Sequence, residues 1–297
     1  MDKIKNKGYH AIALVIVVIW GTTFISTKEL LIAGLSPEDI FLYRFGMAYI
    51  GICLTGKNRW FAHNWKDEFL LLLIGITGGS AYFLAENFAL KFTQASNVAF
   101  LVCTAPLLTA ILSHIFLKNE KLHRRLIQGS VLALLGAALV IFNGRFILHL
   151  NPFGDLLSLL ASLSWAVYTI LMKKISDRYP IAFITRKVFF YGLLTILPAF
   201  AFHPPVTDTH LLMQPVVYGN LLFLGIAASL LCYFFVNVLI KHLGAVQTNN
   251  YIYAVPIITL IASSLLLKET ITLFAVAGMV LILAGVIWAT GLNKRYE

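Results

Sequence analysis

The chain has 297 residues, of which 59% are hydrophobic and only 12% are charged. A water-soluble domain usually carries about 25% charged residues, so this composition excludes the soluble enzyme classes and indicates an integral membrane protein. The formal net charge of +10 does not indicate a nucleic-acid partner, because the basic residues lie in short gaps between apolar runs. The partner that we expect first is the lipid bilayer.

Polar interruptions divide the chain into ten apolar runs, each about as long as a membrane span. Their approximate bounds are 9–32, 38–56, 68–90, 94–117, 125–143, 153–173, 182–203, 215–240, 246–267 and 271–291. Backbone groups in lipid need internal hydrogen bonds, and the runs lack the alternating polarity of barrel strands, so all are predicted to be helices. The first run follows three lysines as a signal peptide does, but no small-residue cleavage pattern follows it, so we predict a retained helix.

The distribution of Lys and Arg among the gaps predicts the orientation. Sixteen lie at the two termini and in the gaps on their side of the membrane, and three lie in the opposite gaps, namely Lys91, Arg145 and Lys268. Basic residues concentrate on the cytoplasmic side of membrane proteins. We therefore expect a multi-pass protein of the bacterial cytoplasmic (inner) membrane, with both termini in the cytoplasm.

The two halves of the chain repeat each other. Trp20–Lys28 aligns with Trp165–Lys173 at an offset of 145 residues. The residues that recur at an offset of 150 are Gly75, Asn87, Lys91, Ala95 and Pro106, matched by Gly225, Asn237, Lys241, Ala245 and Pro256. Each copy holds five spans, an odd number, so the second copy must enter the membrane inverted. The sequence thus predicts an all-α integral membrane protein with ten transmembrane helices as two inverted five-helix repeats, 1–143 and 151–297, which is typical of transporters.

At these residues the chain resembles the EamA-type drug/metabolite transporters. The motifs that carry the resemblance are Trp20-Gly21, Pro37 with Arg44, Ala89-Leu90, Ala95-Ser96, Pro106, Glu120, Gly154-Asp155, Trp165, Pro180, Pro256 and Lys268-Glu269. The second half departs from the pattern, since Ala166 replaces the glycine and Lys187 replaces the arginine. These two positions are therefore not assumed to act alike in both halves.

The resemblance implies a permease for small molecules. It implies that spans one, three, four, six, eight and nine surround a central cavity, and it adds Asn97, Thr104, Asn249, Asn250 and Tyr253 to the candidate substrate-binding residues. Their alternative role is hydrogen bonding between helices. Because exporters of amino acids and other metabolites are common in that family, the resemblance also implies outward transport.

Glu86, in the third span, is the first candidate from the residues themselves. A charge at membrane depth is costly and faces the protein interior or water. Tyr82 lies one turn earlier on the same face and Asn87 follows directly, while Tyr233 and Asn237 occupy the equivalent positions of the other half. Glu86 is either a protonation site or counter-charge for a substrate, or a structural partner of Lys28, Arg44 or Lys91.

Aromatic side chains on the first span of each half are further candidates. Trp20 and Phe24 share one helical face, as do Trp165 and Thr169. Aromatic rings in a cavity supply apolar area and can bind cations, whereas in a membrane helix they also serve as packing residues or interfacial anchors. Both roles are retained.

Four residues are candidates for gating. Arg44 and Lys187 lie about two turns after Pro37 and Pro180, where they could snorkel to the membrane surface, form a structural pair or form an ion pair that breaks on opening. Pro106 and Pro256 each remove a helix hydrogen bond, which suits either a hinge or a packing kink.

Small residues permit close helix approach in the fifth and tenth spans, either within the chain or as the face of a homodimer. The relevant glycines are Gly129, Gly136, Gly278 and Gly285.

The sequence has no enzyme signature, metal-ligand spacing or nucleotide-binding motif, so no cofactor is predicted. We expect a secondary carrier that exports a small metabolite such as an amino acid by alternating access. The alternatives are efflux of drugs or cationic compounds and a membrane scaffold that transports nothing.

Overall fold

A computed structural model describes residues 2–54, 60–92, 95–117, 123–142, 151–201, 204–267 and 271–290. Throughout these residues the regular elements are helices, and no strand occurs. The helices are α1 (Asp2–Ile32), α2 (Pro37–Leu54), α3 (Trp65–Phe92), α4 (Ala95–Val102), α5 (Ala105–Phe116), α6 (Arg124–Phe142), α7 (Pro152–Ile175), α8 (Ile181–Ala201), α9 (Thr209–Leu212), α10 (Pro215–Leu243), α11 (Ala245–Asn250), α12 (Val255–Leu267) and α13 (Leu273–Thr290).

Seven segments in the described part of the chain are long and apolar enough to cross a membrane. They are Gly8–Ile32, Trp65–Phe92, Val98–Phe116, Arg124–Phe142, Pro152–Ile175, Ile181–Ala201 and Pro215–Leu243. The other three predicted spans fall on α2, which carries Glu38, Asp39 and Arg44, on the interrupted pair α11 and α12, and on α13. The prediction of a multi-pass helical membrane protein is confirmed, and the count of ten spans stays a prediction.

The third predicted span of each half contains a π-helical segment, in α3 and in α10. In α3 the π-helical segment is Ile76–Ser80, and in α10 it is Phe223–Leu231. A π-helical turn changes the face on which the following residues lie, and such turns occur often at functional sites. Both segments precede the tyrosines of the candidate site, Tyr82 and Tyr233, by less than two turns.

The fourth span of each half is broken at its proline. Helix α4 ends at Val102, and α5 begins at Ala105 with Pro106 in its first turn. In the second half, the 3-10 helix Tyr251–Ala254 separates α11 from α12, where Pro256 is the second residue. Proline has no N–H for the carbonyl four residues earlier and clashes with that carbonyl, so a break one turn before it is expected.

Helices α6 and α13 pack with their backbones almost in contact. A Cβ atom at Gly136 would lie 2.6 Å from the Gly278 carbonyl oxygen, and one at Gly285 would lie 2.6 Å from the Gly129 carbonyl oxygen. Only glycine permits this approach. The glycine face is therefore occupied within the chain, and the homodimer, which stays a prediction, would need another surface.

Two acidic residues at the start of α3 form hydrogen bonds to α8 and to the turn that precedes α8. The Glu68 carboxylate accepts hydrogen bonds from Lys187, Tyr191 and the backbone N–H of Ala62. The Asp67 carboxylate accepts hydrogen bonds from Arg178 at 2.6 Å and Tyr179 at 2.9 Å. Lys187 and Glu68 are both buried, so this ion pair lies inside the bundle.

Candidate functional site

A cavity lies inside the bundle between α1, α2, α3, α4, α5, α7, α10 and α12. It contains about 840 Å³ of space when its open part is included. The first half contributes the larger share of its walls. The lining residues of the second half are Trp165, Tyr233, Ile252, Val255, Pro256 and Thr259. Helices of both halves therefore enclose one space.

Aromatic rings form the centre of the wall. The ring of Trp165 meets that of Trp20 edge-on, with centroids 5.3 Å apart, and that of Tyr233 at 5.8 Å. Tyr82 lies 5.4 Å from Trp165, and Phe24 extends the wall along α1. Such edge-on and tilted contacts are favourable arrangements of aromatic rings.

The polar atoms of these rings are already bonded to the protein. The indole N–H of Trp20 donates to the Ala228 carbonyl at 3.2 Å, and that of Trp165 donates to Oδ1 of Asn249 at 2.7 Å. The Tyr233 hydroxyl donates to the Gly78 carbonyl at 2.6 Å. These bonds fix the rings and leave carbon surfaces toward the cavity.

Two opposite charges line the same cavity without contacting each other. Oε1 of Glu86 accepts a hydrogen bond from the Tyr82 hydroxyl at 2.8 Å. Nε of Arg44 donates to the Ser229 hydroxyl at 2.9 Å, and its guanidinium carbon lies 4.2 Å from the centroid of the Phe83 ring. Among the described residues, no carboxylate oxygen lies within 4.0 Å of an Arg44 nitrogen. The cavity thus presents a separate cation and anion.

Contacts between helices close the bundle on the side where α1 begins, which we name the Tyr9 end. Tyr9 stacks on His242 with centroids 4.9 Å apart, and Nδ1 of His10 lies within hydrogen-bond distance of the Tyr251 hydroxyl. Nζ of Lys173 donates to the Lys241 carbonyl at 3.0 Å. The cavity walls instead extend toward the turn between α1 and α2 at 33–36, the Leu35 end, where Thr27 and Leu90 line it.

The model of the EamA-like transporter family matches residues 8–142 and again residues 152–291. The chain belongs to the EamA-like transporter family. It is 29% identical to the uncharacterized transporter YyaM of Bacillus subtilis, over 98% of this chain and 96% of that protein. It is also 29% identical to a protein of Salmonella typhimurium named "Probable amino-acid metabolite efflux pump", over 92% of each chain.

A protein of that same name from Escherichia coli is 26% identical to this EamA-like transporter, over 92% of each chain. One solved crystal structure matches it with a TM-score of 0.79 at 17% sequence identity, covering 97% of this chain and 98% of the other. At that identity the structural likeness concerns the fold alone. The relatives that carry a functional name are transporters or efflux pumps.

Nine of the predicted binding and gating residues of this EamA-like transporter line the cavity, and one of them is Pro256. The other eight are Trp20, Phe24, Arg44, Tyr82, Glu86, Asn87, Trp165 and Tyr233. The amide of Asn87 also lies 3.5 Å from the Pro37 carbonyl oxygen. The grouping follows from helical spacing, because 20 and 24 on α1 and 82 and 86 on α3 are each one turn apart.

Four other predicted binding residues lie outside the cavity lining. Asn237 bridges helices, accepting a hydrogen bond from the Tyr168 hydroxyl at 2.5 Å and donating to Thr185 at 3.0 Å. The Thr169 hydroxyl donates to the Trp165 carbonyl. Asn250 and Tyr253 are buried outside the cavity lining. The side chain of Asn97 lies outside the described residues.

Two of the predicted gating residues also lie outside the cavity. Lys187 forms the buried pair with Glu68 and is not a lining residue of the cavity. Pro106 lies in the first turn of α5, next to the lining residue Ala105, whereas Pro256 and Arg44 are lining residues themselves. The gating roles of these four residues stay predictions.

Sequence reasoning missed several lining or supporting residues. Thr23 and Thr27 line the cavity, and their spacing from Trp20 along α1 could have identified them. Ser229 holds Arg44 and Phe83 lies against its guanidinium group, but neither contact has a signal in the sequence, since both join distant segments.

Proposed function

We propose that this chain is a secondary carrier that exports a small metabolite, such as an amino acid, across the bacterial cytoplasmic membrane by alternating access. The observation that carries the proposal is the cavity with charged and aromatic walls, enclosed by helices of both halves and closed at the Tyr9 end. Ligand sites in transporters lie near the middle of the membrane, between such halves. The names of the relatives from Salmonella typhimurium and Escherichia coli support an amino acid or a related metabolite as the cargo.

The mechanism needs two inverted repeats, which we place at 1–143 and 151–297. The separate family matches to each half, the π-helical segments 76–80 and 223–231 and the proline breaks in both fourth spans support this assignment. The glycine contacts support it as well, because Gly129 meets Gly285 while Gly136 meets Gly278. A two-fold relation between halves produces reciprocal contacts of this kind.

The predicted orientation places the Tyr9 end in the cytoplasm. The cavity then faces outward, and the contacts of Tyr9 with His242 and of His10 with Tyr251 form the cytoplasmic closure. Inward opening would require these contacts to separate, with the breaks before Pro106 and Pro256 as the places where the fourth spans bend.

Efflux of cationic compounds is the second candidate function. The aromatic wall and the Glu86 carboxylate favour a cation. Arg44 in the same cavity opposes it, because a like charge in a poorly solvated space is repelled strongly. The balance of one cation and one anion favours a cargo without net charge.

Counterflow in liposomes tests the proposal. The full-length protein is reconstituted in vesicles loaded with one unlabelled amino acid at a time, and uptake of the same labelled amino acid is measured without ATP. We expect transient accumulation of at least one amino acid above that in empty vesicles. Absence of counterflow for every amino acid, with protein that is folded in the same vesicles, would contradict the proposed function.

Trp20→Ala should reduce this counterflow about tenfold. The change removes the edge-on contact with Trp165 and part of the apolar wall, each of which contributes about 1 kcal/mol or more to packing and binding. Trp288→Ala is the matched control, because Trp288 is 55% exposed on α13, away from the cavity. Equal counterflow in the two variants would exclude a direct role of Trp20 in binding.

A further inference from the structure

The charges of the cavity differ in their pairing from those elsewhere in the bundle. Lys187 and Glu68 are buried and contact each other directly. Arg44 and Glu86 are equally buried, with 4% and 8% of their surfaces exposed, yet they form no ion pair with each other. Charges held apart from a partner in a membrane protein are costly and mark functional sites.

Neighbouring side chains hold the two groups apart. The Tyr82 hydroxyl occupies one oxygen of Glu86, at 2.8 Å. Ser229 accepts the Nε–H of Arg44 at 2.9 Å, and the Phe83 ring covers one face of the guanidinium group. Each charge is therefore fixed by a contact that leaves its remaining polar atoms available.

The remaining atoms face the cavity. Neither the second oxygen of Glu86 nor the terminal nitrogens of Arg44 has a hydrogen bond to another described residue. In the described part of the chain, some side-chain oxygens are completely buried and have no hydrogen-bond partner, but the atoms of Arg44 and Glu86 are not among them. Both residues line the cavity, so these atoms are exposed to its contents.

The chemistry of these atoms selects a zwitterion. The terminal nitrogens of a guanidinium group match the two oxygens of a carboxylate, and a carboxylate matches an ammonium group. A simple anion would leave Glu86 unpaired, and a simple cation would leave Arg44 unpaired, each at a desolvation cost. We propose that Arg44 binds the carboxylate and Glu86 the ammonium group of an α-amino acid, which carries both charges on one carbon.

The aromatic wall selects the side chain of that amino acid. The polar atoms of Trp20, Trp165 and Tyr233 are bonded within the protein, so these rings offer no donor to a ligand. Their carbon surfaces favour an apolar side chain, and an aromatic one can pack edge-on against them. The inference rests on the proposed function and names its substrate class as α-amino acids with apolar or aromatic side chains.

Three ligands of one scaffold test the inference. L-Phenylalanine carries both charges, L-phenylalaninamide lacks the carboxylate, and 3-phenylpropanoate lacks the ammonium group. The dissociation constant of each is measured by calorimetry on the purified full-length protein. We expect L-phenylalanine to bind about tenfold or more tightly than either analogue, since each analogue leaves one charged group of the protein unpaired.

Two variants assign the charges. In Arg44→Gln the preference for L-phenylalanine over L-phenylalaninamide should disappear while the preference over 3-phenylpropanoate remains, and in Glu86→Gln the reverse is expected. Arg44→Lys keeps the positive charge and should restore part of the lost preference, even where Arg44→Gln folds poorly. A merely structural role of either residue would weaken all three ligands alike.

The outcomes separate the inference from the proposed function. A wild-type protein that binds either analogue as tightly as L-phenylalanine, or binds none of the three, overturns the zwitterion site. So does a uniform loss of binding in both variants. If counterflow of an amino acid persists in those cases, the proposed carrier function stands without this zwitterion site.

Discussion

Replacing Lys187 by methionine should lower the free energy of unfolding by about 3–5 kcal/mol. The ammonium group of Lys187 is the cation that contacts the buried Glu68 carboxylate, and both lie inside the bundle between α3 and α8. Without it, Glu68 keeps hydrogen bonds from Tyr191 and from the backbone of Ala62, but no other cation among the described residues forms an ion pair with it. The measurement is unfolding of the purified protein in mixed micelles by titration with SDS.

A second variant distinguishes loss of the pair from loss of the lysine side chain. In the double variant Lys187→Met with Glu68→Gln, no charge is left uncompensated, so most of the stability should return. Arg178→Met is the control with an exposed cation. The Arg178 side chain is 57% exposed and its partner Asp67 is 8% exposed, and Asp67 keeps a hydrogen bond from Tyr179. Because solvent screens the exposed guanidinium group, we expect a smaller loss of stability than for Lys187→Met. Equal losses of unfolding free energy for Lys187→Met and Arg178→Met would contradict a larger contribution of the buried pair to stability.

The helices were predictable because their signals are local. Membrane spans need about 20 apolar residues with polar residues at the ends, and proline removes a backbone donor wherever it stands. The spans around Trp20, Glu86 and Trp165 and the breaks near Pro106 and Pro256 follow from these rules. The π-helical segment Phe223–Leu231 had no such signal, because an extra residue in a turn depends on how neighbouring helices pack.

The partners of charged residues were not predictable for the same reason. Arg44 and Lys187 occupy equivalent places in the two halves, and the sequence offers the same set of roles for both without deciding whether they act alike. In the structure Lys187 contacts a carboxylate and Arg44 contacts a hydroxyl and an aromatic ring. These contacts join segments more than 100 residues apart for Lys187 with Glu68 and for Arg44 with Ser229, so only the packed bundle determines them.

The internal repeat predicts correctly where the helices lie, but it does not predict the surroundings of single residues at equivalent positions. The repeat predicts Asn237 as a binding residue because it is the counterpart of Asn87, but Asn237 bridges Tyr168 and Thr185 while Asn87 lines the cavity. A bundle that is closed at one end places equivalent residues in different surroundings. Under the proposed alternating access, the residues of the first half and their counterparts in the second half would exchange surroundings when the Tyr9 end opens.

Gly136→Leu should separate α6 from α13 and lower the free energy of unfolding by about 3 kcal/mol or more. A Cβ atom at position 136 would lie 2.6 Å from the Gly278 carbonyl oxygen and 2.7 Å from the Ile282 nitrogen. Both are backbone atoms of a neighbouring helix, so no side chain can move to make room. Thermal unfolding in detergent and the yield of monodisperse protein would both report the loss.

Two alanine variants test the close approach by the sign of their change in stability. Gly136→Ala should still destabilise, because even one carbon overlaps the α13 backbone. Gly46→Ala in α2 should stabilise by about 0.5–1 kcal/mol, since nothing lies within 4 Å of its Cβ position and alanine restricts the unfolded chain more than glycine does. If Gly136→Ala leaves the stability unchanged or raises it as Gly46→Ala does, the close approach of α6 and α13 at Gly136 is contradicted.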